Sequence, residues 1–142
     1  MKIGLIGMSG VRVRTDELAK LGVTLPGFVK RGKVIASLPS LGLLTVAGLT
    51  PEEHEVHYIE IDTLPTLSSL PSFDLVGISS LTARIDAAYK IADHYRAQGT
   101  HVAMGGLHVS SMPQEALEHC DSVVVGGAED AWPKLLNDVA QG

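Results

Sequence analysis

A doubly wound α/β domain is predicted for this chain, with one five-stranded parallel sheet and helices on both faces. Three observations carry the prediction. Short apolar runs recur five times, segments with helical spacing separate them, and the third and fifth runs show little polar alternation, as strands covered on both faces do. The 142 residues correspond to about one domain. With 45% apolar residues and a mean hydropathy of +0.22, the chain can build a core that buries roughly two thirds of its unfolded surface.

The first strand is Lys2 to Met8, which holds too few apolar residues for a signal sequence. Ser9 to Leu38 then form a long, partly ordered excursion where connections of ~2–6 residues are usual. Long loops at a ligand-binding rim often act as lids. A first helix over Pro39 to Leu49 leads to the second strand, Glu55 to Ile61. Asp62 to Ser72, with Pro65, Pro71 and several Ser and Thr, reads as a surface linker. The third strand is Leu75 to Leu81, and the helix Arg84 to Gln98 follows. Its Ile85, Ala88, Tyr89, Ile91, Ala92 and Tyr95 recur at three-and-four spacing, and Gly99 is placed as its C-terminal cap. The fourth strand is His101 to Leu107, followed by a helix over Gln114 to His119, a fifth strand at Ser122 to Gly126 and a last helix at Asp130 to Ala140. Pro113 and Pro133 fall in first turns, where a missing N–H is tolerated. The order βαβαβαβαβα with right-handed crossovers is Rossmann-like or flavodoxin-like. No internal repeat interrupts it, so residues 1–142 read as a single domain.

Charge narrows the partners. A formal charge of −5 and a pI near 5.6 give no positive field to attract nucleic acid or anionic lipid. Lys30-Arg-Gly-Lys33, with Arg12 and Arg14 upstream, reads as a solvated loop surface. No run approaches the ~18 apolar residues of a membrane span. A cytoplasmic protein is expected, in which the lone Cys120 forms no internal disulfide.

The runs Asp74-Leu-Val-Gly-Ile-Ser-Ser-Leu81 and His101-Val-Ala-Met-Gly-Gly-Leu-His108 break into small residues at their C-terminal ends, where a parallel sheet presents its ligand rim. Such gaps let a large ligand lie against bare backbone. Other constellations are weaker. Gly4-x-x-Gly7-x-x-Gly10 has the wrong spacing for a dinucleotide fingerprint and opens no helix. A phospho-receiver domain needs an acceptor Asp and a Lys where this chain has Ser79-Ser80 and Gly126-Gly127. His54-x-x-His57 would place its two rings on opposite faces of a strand, so both read as surface histidines. His94 and His119 read as solvent-facing, His108 as a candidate at the Gly-Gly rim, and Cys120 as a buried structural thiol.

Ser79-x-Leu81 and Gly105-Gly106, in order on adjacent predicted strands, resemble the Ser-x-Leu and Gly-Gly motifs of cobalamin-binding domains. Leu38-Pro-Ser-Leu-Gly-Leu-Leu44, Met104-Gly-Gly-Leu-His108 and Gly126-Gly-Ala-Glu-Asp-Ala-Trp132 sharpen the match. Together they resemble the N-terminal cobalamin-binding domain of cobalamin-dependent radical SAM proteins, over essentially the whole chain. The resemblance implies that the corrin ring lies across the rim while the nucleotide tail descends into a groove. Ser79, Ser80, Leu81 and Thr82 would flank the tail on one side and Gly105, Gly106 and His108 on the other. Gly126, Gly127 and Glu129 would close the far wall, and Ser9, Gly10, Val11, Pro39, Ser40, Leu41 and Gly42 would approach the corrin.

Two departures matter. Where cobalamin domains of the methionine synthase and mutase type carry Asp-x-His-x-x-Gly, this chain reads Met8-Ser-Gly-Val-Arg12, which implies a base-off cofactor with no protein histidine on cobalt. Gly127 replaces the Glu that often opens a Gly-Glu-x-Glu run in the radical SAM branch, although Glu129 remains. The C-x3-C-x2-C run that holds an iron–sulfur cluster is missing. The chain is therefore expected to be a binding module. It is either a fragment whose iron–sulfur cluster, S-adenosylmethionine site and methyltransferase chemistry belong to a radical SAM barrel in cis, or a stand-alone carrier. The competing readings are a flavodoxin-like domain for a flavin or nucleotide, which six aromatic residues (two Phe, three Tyr, one Trp) serve poorly, and a degenerate protein-contact module.

Overall fold

The computed structural model describes residues 1–8 and 40–141. The expectations placed on Ser9, Gly10, Val11 and Pro39, and on the excursion they belong to, lie outside these residues.

The strands are β1 (Lys2–Met8), β2 (Glu55–Ile61), β3 (Leu75–Ser79), β4 (His101–Gly105) and β5 (Ser122–Val123). All pair in parallel in the order β2-β1-β3-β4-β5. This is the flavodoxin-like order, and its switch point lies between β1 and β3, where the chain turns to build opposite halves of the sheet. The described helices are α1 (Leu41–Leu49), α2 (Ile85–Ala97), α3 (Leu107–Ser111), α4 (Pro113–Ala116) and α5 (Ala131–Gln141).

Strand alternation divides the core in two. Ile6, Met8, Val76, Ile78, Val102 and Met104 point to one face, where Ile85, Ala88, Tyr89, Ile91, Ala92 and Tyr95 of α2 cover them. The helical stripe read from the sequence is the face that is buried. Tyr95 is fully buried and its hydroxyl donates to the Pro71 carbonyl (2.8 Å); burial pushes its pKa up to about 12. On the other face Ile3, Leu5, Leu75 and Ala103 meet Leu43 and Val46 of α1 and Trp132 and Leu136 of α5.

Local chemistry sets the element ends. Ser40 caps α1, its hydroxyl accepting from the Leu43 N–H. Gly99 takes φ +79° beyond α2, so that the Thr100 N–H reaches back to the Tyr95 carbonyl (3.1 Å). Three strand ends shift, and the third strand stops at Ser79 and not at Leu81. The fourth strand stops at Gly105 and not at Leu107, because Gly106 adopts φ +97° and α3 begins at once. The fifth strand keeps two residues of the five expected, since β4 ends before it can pair with Val125 or Gly126.

Candidate functional site

The register places small residues side by side on the α1–α5 face. Gly7, Ser79 and Gly105 are neighbours across β1, β3 and β4, and Leu5, Gly77 and Ala103 form the next rung down. Over Ser79 and Gly105 the space between the sheet and the two helices is open, whereas Leu5 and Trp132 close it over Gly77, so a groove runs from the C-terminal edge of the sheet as far as Trp132. It is lined by Gly42, Leu43, Thr45 and Val46 of α1, by Leu5, Gly77, Ser79, Ala103 and Gly105 on the sheet, and by Gly106, Val124, Gly126, Gly127, Ala128, Glu129 and Trp132 beyond it. The cavity holds about 190 Å³.

The glycines of this wall differ in what a side chain would meet. A Cβ on Gly106 would lie 2.8 Å from Ser79 Oγ and 3.0 Å from the Ser80 carbonyl, in a backbone conformation L residues rarely adopt. At Gly105 a Cβ meets only ordinary contacts 3.6 Å away at Val124. The fold does not demand glycine at 105; the open groove does. A Cβ on Gly127 would meet only the carboxylate tip of the exposed Glu129 side chain, which can swing aside.

Of the residues expected to hold a ligand, Gly42, Ser79, Gly105, Gly106, Gly126, Gly127 and Glu129 line this groove. Ser40 instead caps α1 and donates its N–H to the Tyr58 hydroxyl (2.9 Å). Leu41 is exposed at the helix start, Leu81 at the rim. Ser80 is buried, its hydroxyl donating to the Leu81 carbonyl. Thr82 and His108 meet each other away from the groove, Thr82 Oγ1 lying 3.1 Å from His108 Nδ1. In the turn after this rim, Arg84 Nε and Nη2 are buried with no hydrogen-bond partner among the described residues. Sequence reasoning missed Gly77, Ala103, Thr45 and Val46 as groove residues. Only the cross-strand register shows that Gly77 and Ala103 share a rung.

His108 belongs to a separate network on the α2 side. Its Nε2 lies 3.2 Å from Glu115 Oε1, and that oxygen also accepts from the Tyr89 hydroxyl (2.9 Å). His119 stacks on Tyr89 at 4.0 Å between ring centroids and contacts Asp93. Burial, then the hydrogen bond to Glu115, hold the Tyr89 phenol above its ordinary value, while the Tyr89 and His108 hydrogen bonds hold the Glu115 carboxyl below its own. A depressed folded-state carboxyl contributes stability above its unfolded pKa and loses it as pH falls through the folded value. The gap in urea midpoint between wild type and Glu115→Gln is therefore expected at pH 6 and closes as pH drops below the ordinary 4.5; a gap unchanged down to pH 3 would contradict this reading of the network.

Cys120, the one cysteine of the chain, is buried and donates to the Ala116 carbonyl, and burial pushes its thiol up to about 11. It is a structural thiol and not a thiolate. Among the described residues no group of three or more His, Cys, Asp or Glu could hold a metal ion. None of the six histidines lines the groove.

A parallel sheet whose switch-point edge opens into a glycine-walled slot defines a cofactor-binding α/β domain. The profile of the B12 binding domain matches residues 30–136, and the chain belongs to that family. Cobalamin is its cofactor. The chain is 42% identical over 101 residues to bacteriochlorophyllide d C-8(2)-methyltransferase of Chlorobaculum tepidum, covering 71% of this chain and 22% of that protein. It is 36% identical over 109 residues to bacteriochlorophyllide d C-12(1)-methyltransferase of the same organism (75% and 23%), and 30% identical over 116 residues to an uncharacterized methyltransferase of Pyrococcus horikoshii (73% and 25%). The chain spans about a quarter of the length of these relatives.

The residues present fit the cofactor. At the sheet edge the groove is walled by Ser79, Gly105 and Gly106, where larger side chains would narrow it, which suits a nucleotide tail lying against the backbone. Among the described residues no helix is long and apolar enough to cross a membrane.

Proposed function

We propose that the chain is the cobalamin-carrying module of a radical SAM methyltransferase, holding the cofactor base-off and without a protein histidine on cobalt. The observation that carries the reading is the pair Ser79–Gly105 at the sheet edge, where small residues leave a slot beside α1 and the Gly126–Glu129 wall that suits the tail. Histidine ligation has little support in the groove, because the candidate at the Gly-Gly rim, His108, uses both ring nitrogens on Thr82 and Glu115. The cofactor supplies a cobalt centre able to accept and give up a methyl group; the protein supplies position and surroundings. Ser79, Gly105 and Gly106 hold the tail at the sheet edge, Gly126, Gly127 and Glu129 bound its far side, and α1 and Trp132 exclude water from beneath it.

A barrel domain in cis, with its own iron–sulfur cluster and S-adenosylmethionine, supplies the radical chemistry in this reading. The methyltransferase names of the relatives and the large share of their length outside this match support it. So does the rim itself. Leu81 (46% exposed), Leu107 (69%) and Val125 (58%) each come two residues after a strand end and Leu41 (78%) opens α1, exposed apolar residues suited to a corrin and the domain above it.

Titration of the purified protein with hydroxocobalamin in the dark, followed by absorbance, tests the reading. Saturable binding with a base-off spectrum that His108→Ala leaves unchanged is expected. A base-on spectrum, or one altered by His108→Ala, would overturn it.

A further inference from the structure

The short helix α3 (Leu107–Ser111) meets all three turns that frame the groove, although none of its residues lines it. It grows directly out of Gly106, whose close approach to Ser79 and Ser80 fixes where the helix starts against the end of β3. The buried His108 turns to the β3 side, with Nδ1 3.1 Å from Thr82 Oγ1 and Nε2 held by Glu115. Residues two apart on a helix do not share a face, so Ser110 points elsewhere. Its hydroxyl accepts from the Gly126 N–H (3.0 Å), in the turn beyond β5.

The β5 side depends on that bond. β5 pairs through two residues, and the Val124 N–H then donates to the Met104 carbonyl (2.8 Å). The next backbone bond runs from the Trp132 N–H to the Ala128 carbonyl, within the wall and the helix that follows it. Between these two, among the described residues, the bond from Gly126 to Ser110 is what ties the Gly126–Glu129 wall to the rest of the rim. Packing does not replace it at that point, since a Cβ on Gly126 would meet nothing within 4 Å.

Resting on the reading above, in which the tail lies between the sheet edge and this wall, we infer that Ser110 is a positioning residue for the cofactor. Its hydroxyl presets the Gly126–Glu129 wall, while His108 and Thr82 anchor the same helix to the β3 turn. Neither Ser110 nor His108 borders the groove, so both act through the turns they hold. A wall that is already in place adds no ordering cost when a ligand arrives, whereas a loose wall is ordered at the expense of affinity. The net worth of one such hydrogen bond corresponds to about three- to tenfold in affinity.

Two measurements on the wild type, Ser110→Ala and Ser110→Thr test this. Affinity for hydroxocobalamin is read by equilibrium dialysis, and exchange of the Gly126 amide with solvent is followed by NMR in the free protein. Ser110→Ala is expected to bind about three- to tenfold more weakly and to exchange its Gly126 amide faster, with a melting temperature close to that of the wild type. Ser110→Thr, which keeps the hydroxyl, restores both the affinity and the slow exchange. An affinity unchanged in Ser110→Ala, or one that falls while the Gly126 amide exchanges as slowly as before, would overturn the inference and leave cobalamin binding in place. Failure of the wild type to bind would remove the reading it rests on.

Discussion

Gly105→Leu is expected to abolish cobalamin binding while the fold survives. A Cβ at this position meets Val124 at an ordinary 3.6 Å, so the backbone accepts a side chain, and the remaining carbons project into the groove between the sheet and α1. A branched side chain there occupies space that the tail needs, and a tightly packed protein interior does not make room for both. Dialysis with cobalamin should show affinity reduced about a hundredfold or more, equivalent to roughly 3 kcal/mol, with an unfolding temperature close to that of the wild type. Gly106→Leu is the contrasting variant. Its φ of +97° and the approach of Ser79 and Ser80 make any side chain strained, so stability falls together with binding. Retained affinity in Gly105→Leu would place the tail elsewhere.

The second large effect falls on stability. Trp132 is 2% exposed and joins three elements: it stands 3.6 Å from where a Cβ on Gly77 would be, packs in the cluster with Leu43 and Val46 of α1, and is tied to Thr50 by its indole N–H. Removing a buried tryptophan side chain costs about 3–5 kcal/mol. For a domain of this size that lowers the melting temperature by roughly 10 °C or more. Part of the ring already borders the groove, which places the expected cost nearer the lower end of that range. Thr50→Val leaves the ring in place but orphans its N–H, at about 1–3 kcal/mol. Differential scanning calorimetry of both variants checks the ordering; Thr50→Val as damaging as Trp132→Ala would mean that the hydrogen bond, and not the packing, holds α5 to α1.

Much of this fold was legible because its signals are local. The stripe Ile85, Ala88, Tyr89, Ile91, Ala92, Tyr95 and the cap at Gly99 are properties of one segment, and both appear where the spacing puts them. The strand starts at Lys2, Glu55, Leu75, His101 and Ser122 follow from the same kind of signal. What escaped depends on neighbours. The end of β5 is set by where β4 runs out of partners, and α3, only five residues long with two serines, has too short a period to announce itself. In the site, the Gly105-Gly106 and Ser79 positions stand out as breaks in apolar runs. Gly77 and Ala103 do not, since each is one small residue inside a strand, and only pairing across three strands makes them a trough. His108 misled for the opposite reason. It follows the Gly-Gly rim in sequence, but the turn at Gly106 sends it to the other face of the sheet, to Glu115 and Thr82.

The two faces of the sheet share the labour unequally. Among the described residues the α2 face gathers seventeen buried apolar side chains and the α1–α5 face eight, and the groove lies within the smaller set. Local opening follows packing, so the amides of α1 and α5 exchange with solvent through smaller and more frequent excursions than those of α2. A cofactor seated between the sheet and these helices binds only the closed form, and its binding energy is added to that half of the molecule alone. Seated as proposed, cobalamin would complete the smaller of the two cores, and loading it would change which half of the domain is the first to loosen.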